Sequence, residues 1–212
     1  MDNILSLLIW VPILSGLVLL FFDKKSYLID VYNIIINGVV FSLSVFLLLN
    51  FDTRSSDFQF VEILKWIPSL NINYYLGVDG ISTLLILLNT IIFLIVAFYN
   101  STLNLKKRNQ YYASFLIASG LTIGVFSALD AMLFYIFFEA LLIPMFIIIG
   151  VWGGPNRIYA AIKFFIYTFL GSVLLLISFL YINSSISSFS VLSFYEASFS
   201  LLEQKWLFVA MA

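Results

Sequence analysis

Two ionisable residues stand inside long apolar runs, where a charge is costly. Glu139 lies within FYIFFEALLIPMFIIIG, and Lys163 lies within the following run, RIYAAIKFFIYTFLGS. Each charge costs roughly 2.5–3.5 kcal/mol at the centre of a membrane helix on insertion scales. A carboxyl group and an amine at such a depth can bind and release protons, so both residues are candidates for a proton relay.

The neighbours of these residues add polar groups to the same runs. Glu139 lies roughly 12–18 Å from either end of its predicted helix, at a rise of 1.5 Å per residue. Pro144 cannot donate a hydrogen bond to the Ala140 carbonyl, so a kink and a free acceptor are expected beside the carboxyl group. Tyr167 follows Lys163 at i+4, where its hydroxyl could extend a polar path. Two simpler interpretations stay open, namely a structural glutamate and a lysine whose amine extends back to the interface.

The composition predicts an integral membrane protein. Of the 212 residues, 63% are hydrophobic and only 10% are charged, against a usual apolar share of roughly 45–50%. Cys and His are both absent, which excludes disulfides and histidine acid–base chemistry, and zinc or haem sites of the usual kind, from this chain alone. The net charge of −1 and the lack of a long basic run argue against nucleic-acid binding.

The apolar runs predict an all-α, polytopic transmembrane helix bundle, because a bilayer needs about 20 apolar residues per helix. The N-terminus lacks a basic n-region, so it is interpreted as a first span and not as a signal peptide. The segment Asn50–Asp79 is too polar to cross, and its aromatic residues suit an interfacial position. The sequence contains six predicted spans, followed by the start of a seventh apolar run, LLEQKWLFVAMA. The six spans are Ile4–Phe22, Val31–Leu49, Gly80–Tyr99, Tyr111–Ala128, Ala131–Val151 and Ile158–Ile182.

Weaker signals concern packing and helix ends. Gly120 and Gly124 form a small-xxx-small pair that allows close helix approach, although such pairs also arise by chance. The range Gly153–Pro155 has the composition of a tight turn. Asp79 and Asp130 stand at the outer ends of spans, where helix capping or an interface charge is expected.

The distribution of basic residues predicts the orientation. Loops after the first, third and fifth spans carry six basic residues, and the loops on the other side carry three. By the positive-inside rule, the first set lies inside and the N-terminus lies outside. The inner set comprises Lys24, Lys25, Lys106, Lys107, Arg108 and Arg157, and the outer set comprises Arg54, Lys65 and Lys205.

Two stretches resemble a known family. FYIFFEALLIPMFIIIGVWG followed by RIYAAIKFFIYTFLGS closely resembles subunit 4 of NADH:ubiquinone oxidoreductase (respiratory complex I), called subunit M in bacteria, and YYLGVDGISTLLILLNT is also similar. The resemblance covers the whole chain and implies an antiporter-like fold of about fourteen helices with two inverted repeats. It makes Glu139 the fifth-helix glutamate and Lys163 the sixth-helix lysine of the first repeat. In the family, the glutamate pairs with a lysine on a broken seventh helix that this sequence does not reach.

The resemblance implies a membrane-arm subunit that couples quinone reduction to proton translocation. Residues 1–110 would hold the N-terminal helices and the interfacial outer loop, and residues 111–212 the first part of the proton-translocating repeat. FMN, iron–sulfur clusters and ubiquinone would lie on other subunits. The implied surroundings are other membrane-arm subunits, membrane lipids and the mitochondrial inner membrane, with a bacterial plasma membrane as the alternative.

Other interpretations stay open. The chain could be a subunit of a multi-subunit sodium/proton antiporter, or a structural assembly fragment without its own transport path. The sequence stops at Ala212, so its last apolar run contains only seven residues from Trp206 onwards. This end suggests either a fragment or one piece of a split polypeptide, whose second piece would complete the seventh helix and the rest of subunit 4.

Overall fold

The computed structural model describes residues 3–21, 28–103, 106–195 and 197–211, so Lys24 and Lys25 lie outside the described residues. The described chain is helical apart from one β-hairpin. The elements, in chain order, are α1 (Ile4–Leu19), α2 (Leu28–Leu49), β1 (Gln59–Ile67), a 3₁₀ turn (Pro68–Leu70), β2 (Ile72–Val78), α3 (Gly80–Ser101), α4 (Arg108–Ser127), α5 (Ala131–Trp152), α6 (Arg157–Ile186), α7 (Val191–Phe194) and α8 (Leu201–Met211).

The helices α1 to α6 coincide with the predicted spans. Long runs of Leu, Ile and Phe favour helices in a membrane, because hydrocarbon offers the backbone no other hydrogen-bond partner. Four of the described helices, α2, α3, α5 and α6, are long and apolar enough to cross a membrane. The helix α1 is apolar but shorter, with 16 residues, and α4 has 20 residues of lower hydrophobicity. The predicted class of a helical membrane bundle is confirmed, and the number of spans stays a prediction.

The chain divides into two compact units. Unit 1 comprises Met1–Glu62 and Gly77–Ser127, and unit 2 comprises Ile63–Leu76 and Ala128–Ala212. Unit 1 therefore contains α1 to α4, and unit 2 contains α5 to α8 together with the turn side of the hairpin.

Close packing of α1 on α4 defines the centre of unit 1. A Cβ atom at Gly120 would lie only 2.5 Å from the Ile9 carbonyl oxygen, and one at Gly16 would lie 2.8 Å from Ile117 Cγ1. Small residues are needed where helix backbones approach this closely, because association in lipid depends on packing and hydrogen bonds. The prediction of a close helix contact is therefore confirmed at Gly120.

Buried hydrogen bonds link the other helices of unit 1. The Ser44 and Thr90 hydroxyls join α2 to α3 at 2.7 Å, and Asn89 Nδ2 donates to Ser119 Oγ at 3.3 Å between α3 and α4. Each bond satisfies polar groups that would otherwise be costly in an apolar interior.

The segment predicted to be interfacial forms an antiparallel hairpin, a detail that the sequence prediction did not contain. Strands β1 and β2 pair with one another, and Asn71 between them takes a left-handed backbone conformation with φ of 55°. Asparagine tolerates this conformation better than most residues, so it suits the turn.

In unit 2, backbone hydrogen bonds fix the start of α5. Leu129 N–H donates to the Tyr75 carbonyl at 2.8 Å, and Val191 N–H donates to the Leu129 carbonyl at 2.9 Å. Ala131 N–H donates to the Phe189 carbonyl at 2.8 Å. The short segment before α5 is thus held from both sides, by β2 and by the stretch that precedes α7.

Candidate functional site

The helices α5 and α6 form an antiparallel pair that carries both candidate residues. Gly153 N–H donates to the Ile149 carbonyl at 3.0 Å and ends α5. A Cβ atom at Gly153 would lie 2.4 Å from the Ile149 carbonyl oxygen and 2.9 Å from Arg157 Cβ, so only glycine fits this turn without a shift. The tight turn predicted at Gly153–Pro155 is therefore confirmed.

Side-chain contacts establish which residues of the two helices lie at the same depth. The Phe146 and Phe165 rings pack edge to face with centroids 5.8 Å apart, and Phe134 and Phe179 do the same at 6.3 Å. The residues of each pair lie about equally far from the turn along the chain. By the same register, Glu139 is level with Ser172, and Lys163 is level with Ile148.

Glu139 lies about 12 Å from the start of α5 and about 20 Å from its end, at 1.5 Å rise per residue. Its side chain is half-buried, and the carboxyl oxygen Oε2 is buried without a hydrogen-bond partner among the described residues. Ser172, at the same depth, directs its hydroxyl to the Phe169 carbonyl at 2.9 Å. Because an unpaired polar atom in an apolar interior is costly, Glu139 differs from an ordinary structural carboxylate.

Lys163 lies about 9 Å from the start of α6. Its side chain is exposed, and Nζ lies 4.9 Å from the centroid of the Tyr159 ring, one turn nearer the start of the helix. The amine therefore points towards the α5–α6 turn and away from the depth of Glu139. The polar extension expected from Tyr167 is not formed within the described residues, since that side chain is 65% exposed in unit 2.

The structure does not bring Glu139 and Lys163 together. The register separates them by about nine residues in depth, or roughly 13 Å. No ion pair joins them in the described part of the chain. A proton passing between them would need intervening water.

The two predicted helix caps are confirmed. Asp79 accepts from Ser82 N–H at 2.7 Å, and Ser82 Oγ accepts in return from Asp79 N–H at 2.8 Å, which completes a capping box at α3. The Ser82 amide holds the pKa of Asp79 below its usual value.

Asp130 caps α5, with Oδ1 accepting from Met132 N–H at 2.9 Å and Leu133 N–H at 3.1 Å. Its second oxygen, Oδ2, accepts from Asn73 N–H at 3.0 Å. Burial nevertheless raises the pKa of Asp130. Both aspartates act on helix ends, so neither is a candidate for proton transfer along α5.

A charge cluster in unit 1 was missed by the sequence analysis, which counted Arg108 only as a basic loop residue. Arg108 Nη1 lies 2.7 Å from Asp30 Oδ2, and the Tyr112 hydroxyl donates to Asp30 Oδ1 at 2.8 Å. Asp30 and Arg108 are 78 positions apart. The only sequence signal was a charge at the start of each of two predicted spans.

The role of Glu62 was not predicted from the sequence either. Its carboxylate accepts from Leu5 N–H at 2.8 Å, from Ser6 N–H at 3.2 Å and from the Ser6 hydroxyl. These donors belong to the first turn of α1, where the helix has unsatisfied amides. Glu62 is thus a buried but fully bonded carboxylate, unlike Glu139.

A family model matches the longer segment of unit 2. Residues 128–212 match the family described as NADH:quinone oxidoreductase/Mrp antiporter, transmembrane. The matched range contains α5 and α6, and with them Glu139 and Lys163.

Relatives along the whole chain are more specific. The chain is 40% identical over 215 residues to NADH-quinone oxidoreductase subunit M of Rickettsia prowazekii, an alignment that covers 98% of this chain and 44% of that protein. It is 40% identical over 208 residues to NADH-ubiquinone oxidoreductase chain 4 of Arabidopsis thaliana, covering 97% of this chain and 42% of that protein. The resemblance to subunit 4/M of NADH:quinone oxidoreductase is thereby confirmed, and the chain spans less than half the length of these relatives.

A solved structure confirms the fold. A chain of respiratory complex I from Thermus thermophilus with bound NADH superposes with a TM-score of 0.83. The match covers 97% of this chain and 42% of that chain at 22% sequence identity, so it carries the fold alone.

Proposed function

We propose that the chain is the N-terminal part of a proton-translocating membrane subunit of an NADH:quinone oxidoreductase, with Glu139 as its proton-binding carboxyl group. The observation that carries this proposal is the buried Glu139 Oε2, which has no hydrogen-bond partner in the described residues. A carboxyl group in this state can gain or lose a proton without breaking a structural bond. The similarity to subunit M and chain 4 supports the assignment to this enzyme class.

Lys163 is the second member of the proposed relay. Its amine points towards the end of α6 that begins at the α5–α6 turn, so it is suited to exchange protons near the interface. Glu139 would then hold the proton at greater depth, with water bridging roughly 13 Å between the two groups. The residues between them on α5 include Pro144, whose missing N–H leaves one carbonyl free to bind water.

The surroundings of the chain belong to the same proposal. Residues 111–212 would form the first part of the proton-translocating repeat, after N-terminal helices in residues 1–110. The rest of subunit 4, on the same or a second polypeptide, would complete the transport path. Other membrane-arm subunits would be partners, with FMN, iron–sulfur clusters and ubiquinone on other subunits of the enzyme. The location would be the mitochondrial inner membrane or a bacterial plasma membrane, with the N-terminus on the outer side.

Replacing Glu139 by Gln in the complete assembly tests the proposal. The amide keeps the size of the side chain but cannot ionise, so NADH-driven proton transport per assembled enzyme should fall at least tenfold, or about 1.4 kcal/mol. The measurement is proton uptake by proteoliposomes, normalised to the amount of assembled enzyme. Glu62→Gln is the matched control, because Glu62 is also buried but serves the first turn of α1. Normal transport by the assembled Glu139→Gln enzyme would refute the role of Glu139.

A second candidate function is a subunit of a cation/proton antiporter without a redox partner, since the matched family description includes Mrp antiporters. The same proteoliposomes distinguish the two. Proton transport that depends on NADH and quinone supports the oxidoreductase, and transport driven by a sodium gradient alone supports the antiporter. A structural assembly fragment predicts a third result, in which Glu139→Gln lowers the amount of complex but leaves transport per complex intact.

A further inference from the structure

An open groove lies at the start of α6, beside the α5–α6 turn. It has a volume of about 470 Å³ and is lined by Pro155, Asn156, Arg157, Ile158, Tyr159 and Ile162. The Arg157 side chain is exposed and forms no ion pair or side-chain hydrogen bond with any described residue. Lys163 does not line the groove, but its amine lies 4.9 Å from the centroid of the Tyr159 ring, which does.

These two cations have no counter-charge nearby in unit 2. The sequence contains no Asp or Glu from Ala140 to Tyr195. Asp130 caps the opposite end of α5, and Glu203 is bonded to Tyr181, about 36 Å along α6 from Arg157. Glu139 lies about 20 Å from the turn. The groove is therefore a site of uncompensated positive charge.

The same face of α6 carries a row of apolar residues that extends away from the α5–α6 turn. Ile158 is 67% exposed, and Ile162 and Ile166 continue the row at i+4 spacing. Tyr159, 64% exposed, has the amphipathic ring that is enriched at membrane interfaces. A charged end joined to an apolar row matches an amphiphile better than it matches a free anion or an acidic peptide.

We propose that this groove binds one anionic phospholipid, with the phosphate beside Arg157 and the Lys163 amine and an acyl chain along Ile158, Ile162 and Ile166. The proposal shares Lys163 with the proposed proton relay, so its test uses Arg157, which the relay does not include. Basic residues at an anionic membrane surface attract it by about 1 kcal/mol each, so removal of Arg157 should weaken lipid binding about fivefold.

The test uses the complete, detergent-delipidated assembly and phosphatidylglycerol as the added probe, followed by native mass spectrometry. Arg157→Gln should bind phosphatidylglycerol about fivefold more weakly than the natural chain. Phosphatidylcholine should not distinguish the two proteins, and inorganic phosphate should not displace the bound lipid. Lys65→Gln is the matched control, because it removes an exposed cation of unit 2 from the hairpin and should leave lipid binding unchanged.

Several results would overturn the proposal. Equal phosphatidylglycerol binding by Arg157→Gln and the natural chain would do so, as would displacement of the lipid by inorganic phosphate. Loss of a neighbouring subunit from Arg157→Gln with unchanged lipid binding would assign the groove to a protein partner. If Arg157→Gln does not assemble, Arg157→Lys should assemble and bind the lipid normally, and its failure to assemble would make the role of Arg157 structural.

Discussion

Glu139 of unit 2 differs in its bonding from the inner carboxyl groups of unit 1. In unit 1, Asp30 is bonded by Arg108 and Tyr112, and Glu62 is bonded by the first turn of α1. In unit 2, Glu139 keeps a buried oxygen without a hydrogen-bond partner in the described chain. A saturated carboxylate fixes the geometry of the groups around it, and an unsaturated one stays free to change its protonation state. Under the proposed function, unit 1 would act as a scaffold and unit 2 would hold the transport site.

Helix packing differs between the α1–α4 contact and the exposed face of α6. The α1–α4 contact leaves no space for a side chain at Gly120, whereas a Cβ atom at Gly171 on α6 would contact nothing within 4 Å. A tightly packed interface resists displacement, because close-packed interiors tolerate little change in volume. The open face of α6 has no such restriction within unit 2. Variants in the two units should accordingly separate stability from transport.

The largest loss of stability is expected from Asp30→Asn. The substitution leaves Arg108 without its anion, and breaking a buried ion pair by removing one partner costs about 3–5 kcal/mol. Because the Arg108 side chain is 24% exposed, a loss near the lower end of that range is expected. Thermal unfolding of the purified assembly and its abundance in the membrane measure the effect.

Thermal unfolding and membrane abundance of Glu139→Gln, compared with those of Asp30→Asn, test the difference between the two units. Since Glu139 Oε2 has no hydrogen-bond partner in the described part of unit 2, Gln breaks no bond there, so thermal stability should be unchanged or slightly higher while proton transport is lost. Asp30→Asn should show the reverse, with normal transport per surviving complex. Equal transport defects in both variants would abolish the distinction between scaffold and transport site.

A smaller effect is expected from adding one methyl group to each unit. Gly120→Ala forces its Cβ against the Ile9 carbonyl oxygen, so it should destabilise the protein by about 1–3 kcal/mol, as overpacking does. Gly171→Ala fills open space and improves helix propensity, so its stability should be unchanged or higher. Thermal unfolding of the two variants side by side provides the measurement. Similar losses in both would show that the face of α6 is as tightly covered as the α1–α4 contact.

The sequence predicted the elements of the fold better than their connections. The lengths of the apolar runs suffice to place α1 to α6, because each membrane helix satisfies its own backbone. The hairpin was predicted only as an interfacial segment, since its single charges hid the strand pairing. Leu5 N–H donates to a Glu62 carboxylate that is 57 positions away, and Asp30 pairs with Arg108 at a separation of 78 positions. No local sequence pattern reveals contacts between residues so far apart.

The candidate site was predictable in type but not in geometry. An ionisable residue within an apolar run identifies Glu139 without any tertiary information. The direction of the Lys163 amine depends on its contact with Tyr159, and the depth difference depends on how α5 packs on α6. Both follow from packing, so a sequence pattern alone could not supply them.

The smallest expected effect compares the two helix-capping aspartates, one in each unit, as a function of pH. Asp79 has a pKa lowered below 3.8 by the Ser82 amide, so its ionised form stabilises unit 1 above that pH. This contribution is lost as the pH falls through the lowered pKa. Asp130 has a pKa raised above 3.8 by burial, so its contribution is complete below that pH and is lost as the pH rises through the raised pKa.

Replacement of each aspartate by Asn removes the titration but keeps a capping oxygen. A charge at a helix N-terminus contributes about 0.3–1 kcal/mol, so the natural chain should exceed Asp79→Asn by roughly this amount at neutral pH. That difference should shrink as the pH falls below 3.8. The advantage of the natural chain over Asp130→Asn should instead shrink as the pH rises above 3.8. Thermal unfolding across this range measures both trends, and trends of the same sign would show that burial does not govern the Asp130 carboxyl group.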